Sequence, residues 1–293
     1  MIKYLKKFLA FILHICGYFK NVLTFKNLQL CFGAFQNRKF YTIINSKKIR
    51  KIIKKSDTIV IYGTGSSINK IKKNEWKKLR KFNSISLGHF AEHAYKKKIN
   101  IDIVHIKEIG AWGDIVNSSQ LENIKEVVNY IEGCQKLKNF NKTIFLLQSG
   151  IPGKCSNYMI DNLLFKFKTN LSFYKNSQVL NNANKFIGYK NFLNGRCGSL
   201  SMAITFVIKL GWKNIILAGV DLVDNRYFYL KNNQTPQWNN KRKIKVNDPH
   251  SMKKRTIEYI NDFSKWSKSR DIKLYVLNKK NILADMLPIY KFK

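Results

Sequence analysis

The 28-residue stretch NGRCGSLSMAITFVIKLGWKNIILAGVD, from Asn194 to Asp221, constrains the fold more than any other part of the chain. Gly195 and Gly198 flank Arg196 and read as a turn. Residues 200–210 then follow as an apolar helix with few polar interruptions. Gly211 stands just past its end, where a left-handed residue is usual. The next run, residues 214–221, is too short for a helix and is apolar on both faces. That pattern predicts a buried parallel strand ending at Asp221. A helix feeding such a strand is half of an α/β unit. In open α/β sheets, ligands collect outside the carboxyl ends of the strands. Arg196, Ser199 and Asp221 are therefore candidates for one site, although they are spread along the chain.

The same alternation runs through the chain from residue 58 onward. Strands are predicted at 58–62, 83–87, 101–105, 143–147 and 273–277, and helices at 68–79, 90–97, 121–130, 158–167 and 253–266. The fold class that follows is α/β: a Rossmann-like, doubly wound, mostly parallel sheet. Residues 154–193 are rich in Asn, Lys and aromatics and offer only the 158–167 helix. Residues 224–248 are long, polar and basic, and hold Tyr227, Tyr229 and Trp238. A loop longer than about 12–15 residues in a compact domain is usually a lid or disordered, and the aromatics here argue for a lid. The expected organisation is a basic N-terminal segment over 1–50, then one domain over 51–293 with a lid at about 224–248.

Several residues are placed for chemistry. Gly63, Thr64, Gly65 and Ser66 follow the strand at 58–62 and precede a predicted helix, an arrangement that presents backbone N–H groups to a phosphate. The run lacks a Walker lysine and the full G-x-G-x-x-G pattern, and a plain tight turn explains it as well. His89 and His105 fall at predicted carboxyl ends of strands, but His89, His93 and His105 do not have metal-ligand spacing within one element. No metal is expected. His250 sits after Pro249 at a helix start, where position alone reads as an N-terminal residue with Ser251 as cap.

Charge narrows the partners. With 54 Lys+Arg against 17 Asp+Glu, the net charge is +37. Such a field suits nucleic acid, an anionic membrane or an anionic small substrate. Heavy use of Lys, Asn and Ile, as an AT-biased genome dictates, accounts for part of the excess. No RNP aromatic pair, zinc knuckle or helix-turn-helix pattern is present, so no nucleic-acid partner is expected. Cysteines at 16, 31, 134, 155 and 197 are odd in number and form no C-x-x-C pair, which fits reduced thiols in a cytosolic setting. The first thirty residues start basic, and their apolar run over 8–19 is shorter than the ~20 residues of a spanning helix. No A-x-A cleavage site follows it. A basic amphipathic helix lying on an anionic membrane is one reading. A helix packed on the core or at a homo-oligomer interface is the other. The first places the protein in the cytoplasm, peripheral at the inner face of the bacterial cytoplasmic membrane.

Four blocks, in order, resemble the bacterial CMP-sialic-acid-dependent sialyltransferases of glycosyltransferase family 42. They are the strand with Gly63-Thr-Gly-Ser-Ser67, Asn194-x-Arg196-x-x-Ser199 with its helix and Leu210-Gly-Trp212, the strand Ile215-Ile-Leu-Ala-Gly-Val-Asp221, and His250-Ser251 with the later Ile272-Lys-Leu-Tyr-Val-Leu277. The resemblance spans residues 58–287 and is strongest over 194–287. It implies an inverting, metal-independent transfer of sialic acid, or a related nonulosonic acid, from a CMP-sugar to a lipooligosaccharide or capsular glycan, with no other cofactor. His250 then matches the general base. Tyr227 or Tyr229 matches a lid tyrosine that donates to the leaving phosphate. Gly63, Thr64, Gly65 and Ser66 match the nucleotide turn, and Arg196 and Ser199 match donor-pocket positions. Asp221 lies beside them as support. The chain departs from the family at Val223, where a tyrosine is expected, and at Gly88-His89, where an asparagine is expected; His89 thereby joins the donor-side candidates. Two other readings stand beside this one. A pterin pyrophosphokinase-like enzyme shares a G-x-G-x-S turn and would need acidic residues for Mg²⁺ near it. A non-enzymatic RNA- or membrane-binding protein would rely on the positive field alone.

Overall fold

Among the described residues, nine strands pair in one sheet, and every ladder is parallel. The computed structural model describes residues 41–53, 55–106, 129–148, 169–177, 192–194, 196–221, 228–229, 249–279 and 281–292. The strands are β1 (Tyr41–Ile43), β2 (Thr58–Tyr62), β3 (Asn83–Leu87), β4 (Ile103–Ile106), β5 (Ile144–Gln148), β6 (Thr169–Ser177), β7 (Phe192–Asn194), β8 (Asn214–Ala218) and β9 (Lys273–Val276). Their order is β1-β6-β5-β4-β3-β2-β8-β9, with β7 pairing the far end of β6. The helices are α1 (Ser46–Ile53), α2 (Lys73–Leu79), α3 (Phe90–Ala94), α4 (Ser199–Lys209) and α5 (Pro249–Lys268). This is the expected doubly wound α/β architecture.

The apolar strands read as continuous hydrophobic runs because both faces of the sheet are covered. Alternate residues feed two cores. Ile59, Ile61, Ile85, Ile215 and Leu217 join α1, α4 and α5 on one face. Val60, Tyr62, Val104, Ile216 and Ala218 join α2, α3 and residues 130–140 on the other. Residues 200–208 of α4 are all buried, as a helix apolar around its whole circumference must be. Its two polar members bond locally: the Thr205 hydroxyl donates to Ser201 O at 2.7 Å, and the Ser201 hydroxyl to Gly198 O at 3.0 Å.

At the far end of α4, Gly211 takes φ +89°, and a Cβ there would strike the Arg50 guanidinium. Arg50 donates to Gly211 O at 2.5 Å and Leu210 O at 3.2 Å, pairs with Asp57 at 2.9 Å, and lies 5.5 Å from the Trp212 ring. A cation from α1 thus satisfies the last carbonyls of α4. Residues 41–53 are therefore built into the sheet through β1 and α1. The start of β4 is tied down by polar groups: buried Asp102 accepts the Ser84 amide at 2.9 Å and pairs with Lys55 at 2.5 Å.

Besides β1, α1 and β7, which the sequence pattern did not mark, the structure departs from that pattern in two places. The predicted 68–79 helix is split into a 3₁₀ turn at Ser66–Lys70 and α2, with Ile71 and Lys72 extended between them. The cause is competition: Asp221 holds the Ser67 amide at 2.7 Å, while Glu75 accepts the Lys72 amide at 2.7 Å and starts a new helix. The second departure is β6, inside the stretch with no strand assigned. Its sequence TNLSFYKNS buries Leu171, Ser172 and Tyr174, but its polar residues hide the pattern. The predicted helix at 158–167, most of the predicted helix at 121–130 and of the expected lid at 224–248, and residues 1–40 of the N-terminal segment lie outside the described residues. Among the described residues, no helix is long and apolar enough to cross a membrane.

Candidate active site

The strand order reverses between β2 and β8. From β2 the chain crosses the α2 face to β3; from β8 it crosses the α5 face to β9. Where neighbouring strands part in this way, a crevice opens at their carboxyl ends. The two strand exits forming its floor are Gly63–Ser66 and Gly219–Asp221.

These exits are stitched together. The Gly63 amide donates to Ala218 O at 2.7 Å and the Gly65 amide to Gly219 O at 2.8 Å. Asp221 accepts both the amide and the hydroxyl of Ser67. A Cβ on Gly63 would collide with the Gly219 carbonyl, and one on Gly65 with the Asp221 carboxylate. The glycines therefore serve first to let two backbones touch, and their two amides are spent within the fold. Asp221 is 8% exposed and acts as the clamp of this turn. Asn281 supports it from below, donating to Val220 O at 2.8 Å.

One wall of the crevice is aromatic and carries imidazoles. The Thr64 carbonyl accepts the Phe228 amide at 3.0 Å, and the Thr64 methyl would lie 3.6 Å from a Cβ on Gly88. His89 follows at the start of α3, with Nδ1 2.6 Å from Glu92 Oε2. The Tyr130 hydroxyl donates to Gly88 O at 2.5 Å, and its ring meets His89 edge-on at 5.4 Å. Burial raises the Tyr130 phenol well above its ordinary value and keeps it a donor. Tyr229 stacks on His93 at 4.3 Å and lies 6.4 Å from His89. His105, in contrast, is 1% exposed and stacks on Tyr174 at 5.2 Å inside the core.

Burial, reinforced by Lys96, holds the His93 imidazole below its ordinary pKa. The unfolded chain therefore takes up this proton near pH ~6.5, whereas the folded protein resists it. His93 stability is complete above that pH and is lost as the pH falls below it. Melting curves between pH 7 and 5 are expected to show a falling Tm, with a shallower fall in His93→Gln. An unchanged slope would exclude His93 as a contributor.

The opposite wall is formed by the starts of α4 and α5. Ser199 is the first residue of α4, behind Gly198 at φ +70°. Arg196 pairs with Asp262 at 2.5 Å, and the Cys197 thiol meets the Thr256 hydroxyl, so the start of α4 lies alongside the middle of α5. Burial pushes that thiol up to about 11, which makes it an inert core thiol. Cys134 is likewise buried and free. His250 is the second residue of α5, six positions before Thr256. At 1.5 Å per residue its backbone stands about 9 Å beyond the start of α4, above the carboxyl edge.

The sheet thus brings Gly63, Thr64, Gly65, Ser66 and Asp221 together, with His89 and Tyr229 on one side and Arg196, Ser199 and the His250 backbone on the other. Tyr227 lies outside the described residues. Sequence reasoning missed Ser67, Glu92 and Tyr130. Ser67 stood in the glycine run and Glu92 stood three residues after His89, a helix-start spacing, but nothing local marked Tyr130. Among the described residues, no group of three His, Cys, Asp or Glu is placed to hold a metal.

No protein-family model matches the chain, and no curated protein is similar to it. Its fold is similar to that of several solved structures. The monofunctional alpha-2,3-sialyltransferase Cst-I of Campylobacter jejuni is 18% identical, with a TM-score of 0.46 over 82% of this chain and 84% of that one. The sialyltransferase CstII of the same organism, solved with the substrate analogue CMP-3FNeuAc, is 16% identical, with a TM-score of 0.43 over 80% and 89%. The MAf glycosyltransferase of Magnetospirillum magneticum is 12% identical at a TM-score of 0.44, and the match covers 79% of this chain but only 35% of that larger protein.

Proposed function

We propose that the protein is a glycosyltransferase that takes sialic acid, or a related nonulosonic acid, from a CMP-sugar and transfers it with inversion to a lipooligosaccharide or capsular glycan. The observation that carries this reading is the convergence at the β2–β8 crevice. Four sequence blocks that resemble family 42 lie far apart in the chain, and the described parts of all four reach the carboxyl edge of one sheet.

The chemistry follows from that placement. The acceptor hydroxyl attacks the anomeric carbon of the donor, the bond to the phosphate oxygen breaks, and CMP leaves. His250 takes the hydroxyl proton. Tyr229, or Tyr227, donates to the leaving phosphate and offsets its developing charge. The Gly63–Ser66 turn holds the nucleotide, and Asp221 keeps the turn in shape. Arg196 and Ser199 face the donor, with Arg196 held by Asp262. No metal takes part in this scheme.

Among the described residues, the pyrophosphokinase-like alternative has little to hold Mg²⁺. Glu75 caps α2 and Asp221 is bonded to Ser67.

The test is release of CMP from CMP-Neu5Ac and CMP-Kdo, in EDTA, by the purified full chain with and without acceptor glycolipid. Cleavage of one donor is expected. Failure to bind or cleave either one, under all these conditions, would overturn the reading.

A further inference from the structure

Phe228 is held on both sides of its backbone. Its amide donates to Thr64 O at 3.0 Å, and its carbonyl accepts Asn69 Nδ2 at 2.9 Å. Asn69 belongs to the 3₁₀ turn Ser66–Lys70 that leaves the glycine run. Its amide is oriented from the other end, where the Lys97 ammonium donates to Asn69 Oδ1 at 3.1 Å. An ammonium only donates, so the Asn69 oxygen faces Lys97 and the NH₂ group is left for Phe228. The Phe228 ring is 7% exposed and packs against Phe90 of α3 at 5.2 Å. Its amide, carbonyl and ring are thus anchored by three different elements.

Tyr229 takes its place from that anchor and from α3. Its ring stands perpendicular to the Phe228 ring at 5.4 Å and lies nearly flat on His93 at 4.3 Å, with 18° between the planes. Phe228 therefore faces the core while Tyr229, only partly buried, lines the crevice. A group that must meet charge appearing in a transition state contributes most when it is held in place beforehand. A displacement of about 1 Å can cost on the order of 100-fold in rate.

We propose that Asn69 and His93 are positioning residues for Tyr229. Asn69 fixes the backbone that carries the ring, and His93 is the surface on which the ring lies. Tyr229, and not Tyr227, is then the phenol that meets the leaving phosphate. The positioning stands on the contacts above; the phosphate clause rests on the glycosyltransferase reading.

The experiment uses three variants of the full chain. Asn69→Asp keeps the side-chain shape and an oxygen for Lys97 but has no N–H for Phe228 O. His93→Ala removes the surface under Tyr229, and His93→Phe puts a flat ring back. The first readout is hydrogen exchange of the Phe228 amide. Asn69→Asp and His93→Ala should each speed it by about 10-fold, the effect of losing one local contact, and His93→Phe should restore it. The second readout is turnover of CMP-Neu5Ac and CMP-Kdo. The same two variants should lower kcat by about 10- to 100-fold with KM little changed, and His93→Phe should recover most of that loss. Added to Tyr229→Phe, Asn69→Asp should cost nothing further; added to Tyr227→Phe, its loss should multiply. Unchanged Phe228 exchange in both Asn69→Asp and His93→Ala would overturn the positioning. Losses that multiply with Tyr229→Phe but not with Tyr227→Phe would overturn the choice of phenol. If exchange responds as expected but the wild type cleaves no CMP-sugar, the positioning stands and the phosphate clause alone falls.

Discussion

His250→Ala should leave CMP bound while slowing CMP-sugar turnover by about 10²- to 10⁴-fold, the usual worth of a positioned general base. His250 belongs to the first turn of a 20-residue helix whose buried anchors, Thr256, Tyr259, Phe263 and Trp266, all come later. Loss of one side chain in that first turn leaves those later anchors in place. The expected signature is therefore a fall in kcat with little change in Tm or in CMP affinity. An imidazole base acts only when neutral, so the wild-type rate should fall on acidification. A mutant that transfers at the wild-type rate would remove His250 from the mechanism. It would leave His89, held by Glu92, and His93, stacked on Tyr229, as the imidazoles at the crevice.

A large effect on the fold is expected from Gly63→Ala. The added methyl group meets the Gly219 carbonyl and the Val220 side chain, and the first of these is backbone that cannot rotate away. Relief requires β2 and β8 to part, which strains the Gly63 amide bond to Ala218 O. Overpacking against a rigid partner costs about 3 kcal/mol. For a domain of this size that lowers Tm by about 6–12 °C. CMP affinity should fall with it, because the same displacement moves Thr64 and Ser66. Ser67→Ala is the milder comparison. It removes one of the two bonds to Asp221 and should cost about 1 kcal/mol. A Gly63→Ala protein with an unchanged melting curve and full CMP affinity would mean the exits are not clamped as described.

How much of this was legible in the chain varies with the range of the interaction. The strands at 58–62 and 83–87 match their predicted bounds, and α4 matches within one residue, because apolar runs bounded by turn residues are local signals. The long helix after the glycine turn was misjudged because Asp221, 154 residues away, holds Ser67. Strand β6 was missed because Lys, Asn and Ser interrupt its apolar residues, in a stretch already rich in them.

The sequence by itself determined the class of fold, the parallel strands, and the edge of the sheet on which Gly63–Ser66, Asp221 and His250 fall. It did so because hydrophobic period and turn chemistry are written in consecutive residues. Only the tertiary structure decided which groups touch. It spends the Gly63 and Gly65 amides on β8, sends Arg196 to Asp262, buries His105 against Tyr174, and sets Glu92 and Tyr130 around His89. Apart from Glu92 and His89, three residues apart, those pairings join residues tens to more than a hundred positions apart. Such contacts depend on how layers stack and where strands exit, which no local pattern records.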